Sequence, residues 1–152
     1  MTRERKILAK NRAARHTYHL LEREEAGIEL LGTEVKAIRA GRVNLKEAHV
    51  AFTGGEAWLV GCHISPYEHA GYAIHDPTRR RRLLLHKRQI LRWGSKVQEK
   101  GLTVVPLSIY LDGSWIKLEI ALARGKLLRD KRETLRQRTL DREAEAAVKE
   151  NR

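Results

Sequence analysis

Residues 76–87 read DPTRRRRLLLHK, four consecutive arginines running directly into three consecutive leucines. Side chains along a strand alternate between its two faces, so Arg80, Arg82 and Leu84 point one way and Arg81, Leu83 and Leu85 the other. Such a strand leaves a core within three residues, which only the rim of a barrel allows. The leucines are expected to anchor the strand in the barrel wall. The arginines, chiefly Arg79 and Arg81, are expected to project past its end toward an anion, because the planar guanidinium fork suits phosphate. Four adjacent arginines repel one another and gain nothing unless an anion relieves them.

The rest of the chain supplies the wall. Val50 and Phe52 precede Gly54-Gly55, with Ala57, Leu59 and Val60 after it, a clear hairpin pattern. TVVPLSIYL and WIKLEIALA flank Asp112-Gly113 as a second hairpin, with Pro106 marking an edge or a bulge. A further strand starts at Tyr18 and is expected to bend at Gly27 before continuing through Ile28 to Leu31. A short helix follows, capped by Thr33, with Val35 and Ile38 on one face and Gly41 as its C′ residue. It presents Lys36 and Arg39 outward. A second helix starts just after His86, carries Ile90, Trp93 or Gly94, and Val97 at helical spacing, and closes at Gly101. Short strands of this number in roughly 110 residues suit a small closed barrel better than a sandwich. The expected organisation is a basic N-terminal arm over 1–16 that orders on a partner, a ligand-binding barrel over 17–124, and a basic C-terminal tail over 125–152 that is disordered alone.

Lys and Arg number 31 against 19 Asp and Glu, a formal charge of +12. That imbalance costs self-repulsion unless a polyanion offsets it, and nucleic acid is the leading candidate. With three Trp, four Tyr and one Phe, the chain lacks the row of stacking platforms expected of a generic single-strand binder, so shape and backbone reading of folded RNA is favoured. No apolar run approaches a membrane span, and the single cysteine, Cys62, permits no internal disulfide. The chain therefore reads as cytoplasmic, without a membrane partner, and as a monomer. Cys62, His63, His69, His75 and Asp76 cluster in sequence, but their spacing fits no zinc pattern. No nucleophile elbow or phosphate loop occurs either, so no metal, cofactor or catalytic residue is expected. A constitutive rRNA-binding ribosomal or assembly protein fits the same composition and is the alternative.

The stretches NRAARHTY, EAGIELLGTEVKAIRAG, DPTRRRRLLLHK, KGLTVVPLSIY, ARGK and DKRE, in this order, resemble the SmpB family, the SsrA-binding proteins of bacterial trans-translation. The likeness runs from about Asn11 to Glu133. It implies an antiparallel barrel of about six strands of the oligonucleotide-binding (OB) type, mainly β, with two or three flanking helices. It also implies binding to the tRNA-like domain of tmRNA, delivery to stalled ribosomes for rescue and peptide tagging, and no enzymatic step. By the same resemblance, Asn11, Glu25 and Leu84 are tied to tmRNA binding, and Arg12, Arg15, His16, His86 and Lys87 lie in the same motifs. Glu25 is odd beside phosphate. It is expected either to accept from a base amino group or 2′-hydroxyl, or to hold a neighbouring arginine. Gly125, Lys126, Arg129, Asp130, Lys131 and Arg132 match the tail that enters the empty mRNA channel and becomes helical at the small-subunit decoding centre. The chain departs from that pattern at Leu127 and Arg129.

Overall fold

The computed structural model describes residues 5–66 and 75–126. In chain order the elements are β1 (Arg5–Lys10), α1 (Ala14–Thr17), β2 (Tyr18–Ile28), α2 (Gly32–Arg39), β3 (Val43–Asn44), β4 (His49–Thr53), β5 (Glu56–Val60), β6 (His63–Ile64), β7 (Arg81–Leu84), α3 (Lys87–Lys100), β8 (Thr103–Asp112) and β9 (Trp115–Gly125). Six strands form a ring of antiparallel pairs in the order β8-β4-β5-β7-β2-β9, with β9 pairing back onto β8. This is the OB-like, mainly β architecture expected. β3 and β6 form a separate two-stranded ladder.

The expected hairpins are present. Gly54 and Gly55 both take positive φ between β4 and β5, the backbone a tight two-residue turn requires. Pro106 sits where the β8–β9 register shifts. There the opposite edge of β8 changes partner, from β4 at Val104 to β1 beginning at Ser108. A residue without an N–H belongs at such a break in the ladder. The ring interior is filled by Ile28, Val50, Leu59, Leu83, Val104, Ile109, Leu118, Ile120 and Leu122, and α3 lays Ile90 and Trp93 against it.

Three local expectations differ. The N-terminal segment is not a free arm: Arg5–Lys10 pairs with Asp112–Ser108 of β8, and Leu8 and Ala9 pack on the core. Backbone pairing, which satisfies N–H and C=O groups irrespective of side-chain polarity, holds a stretch with little else to bury. β2 ends at Ile28, and its bulge lies between Leu20 and Glu22 rather than at Gly27. α2 begins two residues earlier than expected, capped at Leu31, whose N–H donates to the Glu34 carboxylate at 2.8 Å. Thr33 instead meets His75, with Oγ1 3.0 Å from Nδ1, while His75 Nε2 reaches the Ile64 carbonyl at 2.8 Å. At the other end β9 closes at Gly125, opposite Tyr18, and the Lys126 N–H donates to Thr17 O at 2.9 Å. The expectations for Arg129, Asp130, Lys131 and Arg132 lie outside the described residues.

Candidate nucleic-acid interface

The arginine run does not form one phosphate-facing lip. The alternation holds, but it turns Arg81 inward. Arg81 and Glu34 are both fully enclosed, and Arg81 Nε donates to Glu34 Oε2 at 2.6 Å. The remaining guanidinium donors reach the carbonyls of Cys62 (2.7 Å), Asp76 (3.3 Å) and Pro77 (3.1 Å). Arg79 donates to the other Glu34 oxygen at 2.6 Å. Burial pushes the Glu34 carboxyl up, but hydrogen bonds from Arg79, the Leu31 N–H and Arg81 outweigh it and hold it below its ordinary value. Arg81 is therefore corrected from an RNA contact to a tie between α2, β6 and β7. A strand entering a core with an arginine on the inner face needs an internal carboxylate, and Glu34 supplies it. Arg82 pairs with Glu56 at 2.8 Å and Glu29 at 3.1 Å.

Instead, six of the predicted residues, Asn11, Arg12, Arg15, Glu25, Leu84 and His86, line two grooves that meet at β2 and β9. Glu25, Leu84 and His86 line one groove together with Gly27, Glu56, Arg82, Gln89 and Lys117. Leu84 is 49% exposed there, and a Cβ placed on Gly27 would lie 3.1 Å from Leu84 Cβ, so the glycine lets the leucine lie against the strand. Asn11, Arg12 and Arg15 line a second groove with Ile7, Lys10, Arg23 and Glu119. The grooves adjoin, because Glu25 of the first and Glu119 of the second are directly opposed on β2 and β9.

Glu25 does not face phosphate as an open charge. Lys117 Nζ donates to Oε1 at 2.7 Å, the Tyr110 hydroxyl donates to Oε2, and Arg5 approaches Oε2 at 3.5 Å. The Lys117 and Tyr110 hydrogen bonds hold the Glu25 carboxyl below its usual range, and burial together with Glu25 pushes the Tyr110 phenol well up. The carboxylate thus holds a lysine and an arginine at the junction of the grooves. Asn11 also acts through position. Its amide donates to Pro106 O (3.0 Å) and Leu45 O (3.3 Å), clasping the β1–α1 turn that carries Arg12 and Arg15.

Lys10, Arg12 and Arg15 make no ion pair among the described residues, and Arg12 and Arg15 are exposed. His16, on α1, is half-buried, with an Nδ1 that meets no hydrogen-bond partner among the described residues. Lys87 is exposed at the start of α3, beside His86. Lys36 and Arg39 are exposed on α2, the helix joined to Arg79 and Arg81, and line neither groove. Sequence reasoning missed Lys117, Tyr110, Arg23 and Glu119. The alternation in WIKLEIALA, which sets Lys117 and Glu119 opposite Leu118 and Ile120, is the signal that finds the β9 pair. Among the described residues no cluster of His, Cys, Asp and Glu is arranged to hold a metal ion. The one cysteine, Cys62, is buried, and burial pushes its thiol up to about 11. No helix among them is long and apolar enough to cross a membrane.

Comparison with known proteins places these features in context. The model of the SmpB protein family matches residues 8–150. The SsrA-binding protein of Gloeothece citriformis is 54% identical over 145 residues, 95% of this chain and 94% of that protein. Its counterpart in Carboxydothermus hydrogenoformans is 52% identical over 144 residues, 95% of this chain and 97% of that protein. A chain from the solved structure "tmRNA-SmpB: a journey to the center of the bacterial ribosome" is similar with a TM-score of 0.67 and 47% identity, covering 84% of this chain and 94% of that one.

Proposed function

This chain belongs to the SmpB family, and we propose that it binds the tRNA-like domain of tmRNA and carries it to stalled ribosomes in trans-translation. The observation that carries the reading is the joined pair of grooves. One wall offers Lys10, Arg12 and Arg15, cations without an ion pair among the described residues, and the other offers an apolar Leu84 beside His86 and Lys117. Exposed cations grouped along one groove suit phosphates of a folded RNA, and an exposed leucine suits a ribose or base face. The function is one of binding, with no catalytic step assigned, and its setting is the ribosome in the cytoplasm.

The residues after Lys126 take the second role, entering the empty mRNA channel at the decoding centre. Their point of departure supports this. The chain leaves β9 beside Thr17, at the end of the helix that carries Arg15, so tail and RNA-binding face start from one place. Sequencing the RNA that copurifies with the protein from cells tests the reading. Enrichment of tmRNA over rRNA is expected. Uniform recovery of rRNA, with protein that stays on ribosomes at high salt, overturns it in favour of a constitutive ribosomal component.

A further inference from the structure

Within the four-arginine run, we propose that Arg80, seated on Trp58, is the phosphate contact, and that it extends the RNA-binding face beyond the Leu84 groove. The inference rests on the RNA-binding reading above. Arg79 and Arg81 both pair with Glu34, and Arg82 pairs with Glu56 and Glu29. Arg80 is exposed and makes no ion pair among the described residues. Its guanidinium carbon instead lies 4.8 Å from the centroid of the Trp58 ring.

Trp58 is held in turn. It lies opposite Arg82 on β5, and its indole N–H donates to Thr53 O in the β4–β5 turn at 3.4 Å. A guanidinium laid on an aromatic face keeps its N–H groups directed outward from its edge, where two can meet one phosphate. The side chain is also ordered before the ligand arrives, which lowers the entropy lost on binding. By strand alternation Arg80 and Arg82 share the outer face with Leu84. Arg82 and Glu56 both line the Leu84 groove, and Arg82 leads from it toward Trp58 and Arg80. The run thus resolves into three arginines occupied with the fold and one presented to a polyanion.

The test is the affinity of the full chain for the tRNA-like domain of tmRNA across a salt series. Arg80→Ala is expected to weaken binding about tenfold and to make the log–log salt slope shallower by about 1, with the thermal midpoint unchanged. Arg80→Lys should keep the slope and recover only part of the affinity, because an ammonium lacks the planar fork. Trp58→Leu should weaken binding while keeping the slope, since charge is conserved and the platform is lost. Wild-type affinity and slope in Arg80→Ala, with Arg12→Ala and Arg15→Ala impaired, overturns this inference alone. Wild-type protein without salt-dependent affinity removes the RNA reading and this inference together.

Discussion

Glu34 and Glu25 are both carboxylates in a strongly basic protein, and both are held ionised by cations and hydrogen bonds. Their settings differ. Glu34 is fully enclosed, its partners are Arg79 and Arg81, and the cluster joins α2 to the ring. The Glu25 side chain is a third exposed, with Lys117, Arg5 and Tyr110 on the outer face. A buried pair has no water to take over when one member is removed, whereas an exposed pair does. One residue type therefore ties elements together inside the fold in one place and holds cations on its outer face in the other.

The largest expected effect separates the two. Arg81→Ala leaves Glu34 without its enclosed partner and should cost about 3–5 kcal/mol in urea unfolding. A loss under about 1 kcal/mol, the range of an exposed pair, would erase the contrast. Next is acid sensitivity. Because the folded Glu34 carboxyl lies below its ordinary value of 4.5, its stabilising contribution is full above that pH. The contribution is lost as pH falls through the depressed value. Urea midpoints followed downward from about pH 6 should therefore fall on the acid side, and Glu34→Gln should flatten that limb.

Glu25→Gln should reverse the pattern. Stability should change by about 1 kcal/mol or less, while affinity for the tRNA-like RNA falls about tenfold as Lys117 and Arg5 lose their anchor. A variant that unfolds like Arg81→Ala would make Glu25 a second fold residue. The smallest effect is expected from Leu84→Ala. An apolar side chain left half exposed contributes about 1 kcal/mol to the fold, so a melting curve near wild type with RNA binding a few-fold weaker sharpens the contrast.

Much of the ring was legible because its signals are local. The Gly54-Gly55 turn, the paired strands around Asp112-Gly113 and the left-handed Gly101 closing α3 each lie within a few residues of what they determine. The partner of Arg81 lies 47 positions away on α2, and a count of charges cannot distinguish an arginine that meets a carboxylate inside the fold from one that meets RNA outside it. β1 was missed for a related reason. Arg5–Lys10 is held by the edge of β8, about a hundred residues later in the chain, and its own side chains carry little sign of the pairing. The candidate site could be read from the sequence only as residue types and motifs. That Glu25 meets Leu84 in one groove, while Lys36 and Arg39 stand apart, follows only from the β2–β7 register.

The account depends on an outer face that meets the phosphates of a folded RNA, and the salt dependence of wild-type binding to the tRNA-like domain of tmRNA tests this most directly. Roughly five to eight phosphate contacts predict a log–log slope of about −3 to −7. A flat response, with affinity unchanged between low and physiological salt, would contradict it.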